Sequence, residues 1–332
     1  MTYVRVNAVD MLLIAGDMFD TGFVTRETVA IVLREFGRVP NCKIIISPGN
    51  HDPYTPDSVY AKTKFPDNVF IFTKSEMSKF SFPIYNCDVY GYAFTGETMT
   101  AAPLERAEDN GRIKLLCAHA HMGDPLSPYC PVSANQLAAC GFDYAALGHV
   151  HNPPPPREVD GTVCAYCGCL EGRSYDETGI KGAVYIEIND SGKLFYRNIS
   201  FSDRRYESVK LSVTGAGSSS EIVERIHELI KRERYGESTL LRVTLEGALP
   251  PSLVISPSLM AQSIKEVFAV DIKDATSPVL GGDYLESDPT VKGEFFRALK
   301  PKLESADPTE RSIAARALRY GLAAMSGESL TD

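Results

Sequence analysis

Residues 43–53 read KIIISPGNHDP. Three consecutive isoleucines make a short apolar run of the kind buried on both faces of a parallel sheet. The run breaks at Ser47-Pro48-Gly49, and an amide, an imidazole and a carboxylate follow at once as Asn50, His51 and Asp52. Taken alone, Gly49-Asn50-His51-Asp52 suits an ordinary turn, since Gly, Asn and Asp each favour turns. What separates a turn from a site is whether other strands deliver similar side chains to the same edge.

They do. Residues 11–15, MLLIA, form another short apolar run that ends on Gly16-Asp17. The chain has six histidines. His51, His119, His121, His149 and His151 all follow strand-like runs, and only His227 lies in a helical pattern. One strand-end histidine is more often structural than functional; five in this arrangement are hard to account for as core packing. Strand C-termini of an α/β sheet converge on one edge, the usual place for a ligand. Asp17, Asn50 and these imidazoles make a mixed oxygen and nitrogen donor set without a thiolate, which suits Mn²⁺, Fe or Zn²⁺.

The surrounding pattern is a layered α/β one. Strands are expected at 11–15, 42–46, 69–72, 113–117 and 144–147, with 80–82 and 89–93 paired. Helices are expected at 25–39, where Val29, Val32, Leu33 and Phe36 share a face, and at 134–140. Hairpins follow at 158–163 and at 184–199. Composition shifts near 202–205. Beyond it lie strands at 209–213, 240–245 and 270–272, and helices at 221–234, 259–268, 292–303 and 309–322. Two domains are therefore expected, 1–203 and a smaller α/β domain, 204–332.

Bulk properties narrow the function classes. The chain has 332 residues, 44% apolar and 23% charged, with a net charge of −9. That charge disfavours a binder of nucleic acid by basic surface alone, although bound divalent cations reverse the sign locally. No apolar run approaches the roughly 18 residues needed to span a membrane. The first ten residues show no charged segment leading into an apolar one, so no signal peptide is expected. Eight cysteines without regular spacing fit reduced thiols and a cytoplasmic setting. Cys164, Cys167 and Cys169 lack a second pair at ligand spacing, so they are not read as a zinc site.

In order, Gly16-Asp17 with Asp20, Gly49-Asn50-His51-Asp52, His119 and Gly148-His149-Val150-His151 resemble the motifs of the calcineurin-like metallophosphoesterases. The stretches DMLLIAGDMFDTG (10–22), ALGHVHNP (146–153) and YCGCLEGRSYDETGIKGAVYIEI (166–188) are similar to the SbcD/YhaO-type DNA double-strand-break exonucleases. LLRVTLEG (240–247), VDIKDATSP (270–278) and GEFFRAL (293–299) resemble their capping domain more loosely.

The resemblance implies a four-layer αββα sandwich with two mixed sheets, capped by a smaller α/β domain. It implies two divalent metal ions, Mn²⁺ by preference. Asp17 would bridge them, Asn50, His119 and His149 would complete one site, and His151 would belong to the other. His51 would act on the scissile phosphate and Asp52 would orient His51. Two such cations, about 4 Å apart, neutralise a phosphodiester and lower the pKa of water. The implied partners are DNA, an SbcC-like coiled-coil ATPase and a second copy of the chain. Arg173, Lys181, Arg204 and Arg205 are candidates for DNA phosphate contacts, with solvated surface charge as the alternative. His121 is not required by the motif and reads as a solvent-facing loop residue.

One departure stands out. The family pattern opens with a strand ending in Asp-x-His, which supplies ligands to the ion shared with His151. Here fifteen residues precede Gly16, and none of them forms Asp-x-His. The second site is therefore expected to be incomplete. A misplaced start or a fragment, a one-metal enzyme, and an inactive relative all remain open; retention of every other ligand favours the first. Beside the nuclease stand two further functional readings, a phosphodiesterase or phosphatase of small molecules or nucleotides, and a silent adaptor of an ATPase.

Overall fold

The computed structural model describes residues 1–20, 24–189, 191–250, 253, 255–278 and 282–325. They divide into two compact units, Met1–Leu170 with Gly182–Phe201, and Glu171–Lys181 with Ser202–Asp332. A single crossing between 203 and 204 was the sequence expectation. The chain instead crosses three times, because 171–181 packs with the second unit.

In the first unit the strands are β1 (Met11–Ile14), β2 (Lys43–Ile46), β3 (Val69–Ile71), β4 (Ser78–Phe82), β5 (Cys87–Gly91) and β6 (Ile113–His119). They continue with β7 (His121–Met122), β8 (Pro131–Val132), β9 (Tyr144–Gly148), β10 (Arg157–Val159), β11 (Thr162–Tyr166), β12 (Gly182–Ile188) and β13 (Leu194–Ser200). The helices are α1 (Thr2–Val6), α2 (Arg26–Gly37), α3 (Val59–Lys62) and α4 (Ala134–Ala139). Strands β1, β2 and β3 form a parallel sheet in that order. A second, mixed sheet runs β10-β11-β9-β6-β5-β4, with antiparallel pairs only at its two edges.

Side-chain alternation along these strands builds the layers. Ile45 and Phe72 share one core cluster with Val89, Leu115, Cys117, Val163 and Ala165, which fills the space between the sheets. Ile44 and Ile46 turn the other way, towards Phe36 of α2. Leu116, Ala118, Ala145 and Leu147 face away from the first sheet, into a cluster with Leu137 of α4. The result is the expected helix–sheet–sheet–helix stack. Ile44, Ile45 and Ile46 are fully buried, and burial of each such side chain contributes roughly 1.5–3 kcal/mol. Among the described residues strand β1 has a bonded neighbour on one side only, and its four residues are half-buried.

One expectation needs correction. The first sheet is wholly parallel rather than mixed. The antiparallel pair β12–β13 satisfies its ladder internally, from Gly182↔Ser200 to Ile188↔Leu194, as a separate two-stranded sheet.

In the second unit, β14 (Arg205–Ser212), β15 (Thr239–Leu249) and β16 (Ala269–Pro278) form a parallel sheet. Helix α5 (Ser219–Glu233) starts where Ser218 accepts a bond from the Glu221 N–H. It buries Ile222, Ile226, Leu229 and Ile230 in a cluster with Leu241, Val243 and Leu245. Helix α6 (Pro257–Ser263) ends short of the expected 268, because Ile264 already has extended backbone. Then come α7 (Gly282–Ser287), α8 (Val291–Leu303) and α9 (Pro308–Met325). Phe296 of α8 packs with Leu318 and Leu322 of α9. Segment 171–181 is fastened by Tyr175, whose ring meets Tyr206 edge-on at 5.0 Å and lies 3.9 Å from the Arg242 guanidinium. Backbone bonds from Gly179 N–H to the Tyr206 carbonyl (2.8 Å) and from Arg204 N–H to Glu171 Oε1 (3.2 Å) complete the attachment.

All eight cysteines are free thiols. Among the described residues no helix is long and apolar enough to cross a membrane.

Candidate metal centre

Strands β1, β2, β6 and β9 are parallel to their bonded neighbours in the two cores, so their C-terminal ends carry Asp17, Asn50, His119 and His149 into one region. Close approach at those ends depends on missing side chains. A Cβ on Gly148 would lie 1.6 Å from the Ala15 carbonyl oxygen, and one on Gly49 would lie 2.2 Å from Asp17 Oδ1. No residue other than glycine fits either position without moving backbone or the Asp17 carboxylate.

Asp52 fastens the loops together. It is 1% exposed. Its Oδ1 accepts the N–H groups of Gly49 (2.7 Å) and Asp17 (3.0 Å). Its Oδ2 accepts the Phe19 N–H (3.1 Å) and the Tyr60 hydroxyl (2.5 Å). Burial raises the Asp52 carboxyl, and the Tyr60, Gly49 and Phe19 bonds oppose that shift. Burial and the facing carboxylate push the Tyr60 phenol well above its ordinary value, so it stays a donor. The expected tie from Asp52 to the His51 ring is not among these four bonds. Asp52 joins the loop after β2 to the loop after β1, and so places Asp17 and Asn50.

The side chain of Asp17 then meets the others. Its Oδ1 accepts the His51 N–H at 3.0 Å. Its Oδ2 lies 3.4 Å from His119 Nε2, and Asn50 Oδ1 lies 2.8 Å from the same nitrogen. On the other edge of the His119 ring, Nδ1 donates to the Ala15 carbonyl oxygen at 3.0 Å. The neutral ring has one proton, and in the tautomer that bonds the Ala15 carbonyl Nδ1 holds it. Burial keeps the ring neutral by pushing its pKa down to about 4. In that tautomer Nε2, Asn50 Oδ1 and Asp17 Oδ2 are three lone-pair donors facing one another. A cation is what such a set accommodates, and its nitrogen and oxygen composition suits a borderline or hard divalent ion. The Nδ1 bond to a backbone carbonyl is the support that metal-bound imidazoles ordinarily have.

The remaining residues surround this set. His149 stands edge-on to His119, with ring centres 5.2 Å apart, and burial pushes its pKa down to about 4 as well. Burial also raises the Asp17 carboxyl, against the His51 N–H and the nearby imidazoles of His51, His149 and His151. His51 is exposed, and His151 is half-buried. Among the described residues no three His, Cys, Asp or Glu side chains form a metal-holding group by themselves. The third member beside Asp17 and His119 is the amide of Asn50. Asp17, Asn50 and His119 fit one cation.

His121 requires a different reading from the solvent-facing one. It is half-buried, its Nδ1 lies 2.8 Å from Ser127 Oγ, and its ring lies 5.1 Å from that of His149. Tyr60, Ser127 and Tyr129 were also missed. A hydroxyl in a loop has no sequence pattern; only the histidine spacing of His119 and His121 hinted at the last two.

The candidate phosphate contacts all belong to the second unit. Arg173 has a 70% exposed side chain and pairs loosely with Glu177 at 3.5 Å. Lys181 is buried, at 5% exposure. The Arg204 guanidinium stacks 3.9 Å from the Phe268 ring. Arg205 bonds Thr239 and the Arg234 carbonyl, and lies over Tyr235.

Comparison with known proteins agrees with this geometry. Residues 2–153 match the family described as calcineurin-like phosphoesterase. Over 262 residues the chain is 27% identical to a Bacillus subtilis (strain 168) protein named "Uncharacterized metallophosphoesterase YhaO". That alignment covers 75% of this chain and 62% of the relative, so the chain spans less than two thirds of the relative's length. The matched stretch holds Asp17, Asn50, His51, Asp52, His119, His149 and His151.

Proposed function

We propose that the chain is a hydrolase of phosphodiester bonds, with DNA as substrate and Mn²⁺ as the working ion. The observation that carries the reading is the convergence of Asn50 Oδ1 (2.8 Å) and Asp17 Oδ2 (3.4 Å) on Nε2 of His119. A bound divalent cation supplies neutralisation of the phosphodiester charge and a lowered pKa for water.

The protein residues have separate tasks. Asp17, Asn50 and His119 would hold the ion, with His149 completing the set, and His151 would belong to the site of a second ion. His51 stands at the exposed rim with its backbone anchored to Asp17. From there its imidazole is placed to pass a proton to the leaving alkoxide. Asp52 and Tyr60 keep the loops in register for this.

DNA as substrate, with an SbcC-like coiled-coil ATPase and a second copy of the chain as partners in the cytoplasm, is supported by the similarity of 10–22, 146–153 and 166–188 to SbcD/YhaO-type nucleases. A smaller phosphodiester is the second reading. It is favoured by the burial of Lys181 and the internal contacts of Arg204 and Arg205, together with a net charge of −9. End-labelled linear duplex DNA and bis(p-nitrophenyl) phosphate, each with Mn²⁺, separate the two. Mn²⁺-dependent shortening of the duplex that disappears in His51→Ala supports the nuclease. Turnover of the aryl diester with intact DNA replaces it by the second reading, and turnover of neither leaves a silent adaptor.

A further inference from the structure

His149 has φ of 103°, a left-handed conformation in a residue that carries a Cβ. Such backbone persists only where its surroundings over-determine it. Three rings surround its imidazole. His119 is edge-on at 5.2 Å, His121 is tilted by 50° at 5.1 Å, and Tyr129 lies at 4.9 Å with planes only 38° apart. Two of these walls come from one excursion of the chain, 121–129.

One hydroxyl in that excursion meets both walls. Ser127 Oγ, in a residue only 4% exposed, accepts the Tyr129 N–H at 3.2 Å and meets His121 Nδ1 at 2.8 Å. His121 N–H donates in turn to the Tyr129 carbonyl at 2.9 Å. The base of the excursion is held by Tyr166, whose hydroxyl accepts from Met122 N–H (2.7 Å) and donates to the Ala120 carbonyl (2.9 Å).

We propose that His121 and Tyr129 are positioning residues for His149, and that Ser127 sets both walls at once. Among the described residues, the ring left beside the imidazole of His149 without them is the edge of His119. An imidazole that contributes to a metal set must present a lone pair in one direction, and groups supporting such ligands typically govern affinity by about 10–100-fold. The inference rests on the cation reading of Asp17, Asn50 and His119. The alternative is that the Ser127 bond merely staples a loop.

Co²⁺ alone, titrated into the full chain, distinguishes these cases, because its visible absorption reports the geometry of the groups around it. In Ser127→Ala the band shifts and Co²⁺ binds about tenfold more weakly, while Ser127→Thr restores both. His121→Phe keeps a ring in place but loses the bond to Ser127, and it shows the same shift. It provides the test if Ser127→Ala does not fold. Unchanged absorption and affinity in folded Ser127→Ala or His121→Phe overturn the positioning role alone. A wild-type chain that binds no Co²⁺ overturns the cation reading, and the positioning role with it.

Discussion

Tyr60 donates its phenolic proton to the buried carboxylate of Asp52 across 2.5 Å, and through Asp52 it reaches the backbone of both loops that carry the ligands. Tyr60 touches none of the donor atoms. It holds the carboxylate that holds the loops.

Tyr60→Phe removes one of the four bonds to a carboxylate that is 1% exposed. The expected cost is about 1.5–3 kcal/mol, the range for a hydrogen bond to a charged group. Urea unfolding of the two proteins measures it. A loss below about 0.5 kcal/mol would show that Asp52 does not depend on the phenol.

Gly148→Ala is expected to prevent native folding of the first unit. The new Cβ would lie 1.6 Å from the Ala15 carbonyl oxygen, in a place where only backbone can yield. Far-ultraviolet circular dichroism and gel filtration of the purified variant decide the matter. A folded variant would mean that β9 and the end of β1 can separate at little cost.

Added Mn²⁺ should raise the thermal midpoint, because the proposed site is assembled in the folded chain and not in the unfolded one. At a hundredfold excess over its Kd, the stabilisation is about 2.7 kcal/mol. His119→Ala and Asn50→Ala remove facing donors and should abolish the shift. An equal shift in these variants would place the ion elsewhere.

Acid should weaken the metal-free fold. His119 and His149 are pushed down to about 4 by burial, whereas an unfolded chain protonates histidine near about 6.5. Between those values the unfolded chain takes up protons that the folded one refuses, so stability falls as the pH drops through that window. Asp17 and Asp52, raised by burial, act in the opposite sense, from just above the ordinary carboxylate range downward. Urea midpoints in EDTA at about pH 7 and about pH 5 should therefore decline, and less so in His149→Gln. The same decline in that variant would rule out its imidazole as a cause.

The site was more legible in the sequence than its support. Asp17, Asn50, His119 and His149 announce themselves, because each follows a short apolar run and strand ends converge by geometry. The layers were legible for a related reason: alternation at Ile44, Ile45 and Ile46 divides one strand between two cores. Tyr60 and Ser127 were not legible. Their partners lie in space rather than at a fixed sequence spacing, and a buried hydroxyl looks the same in sequence as an exposed one. The bonds of Asp52 were hidden for the same reason, since three of the four come from backbone N–H groups that every residue carries. The separate β12–β13 sheet was hidden because periodicity marks strands and says nothing of which ladder they join.

The excursion of 171–181 bears on how the gene can be divided. Neither unit corresponds to one continuous stretch of codons, because a piece of the second is encoded between β11 and β12 of the first. A polypeptide ending at 201 carries that piece as a plug without its socket, with Tyr175 deprived of Tyr206 and Arg242. One beginning at 202 carries the socket without the plug. Supplied as separate products, the two are complementary halves, and their reassembly rests on the aromatic and backbone contacts of that short insert.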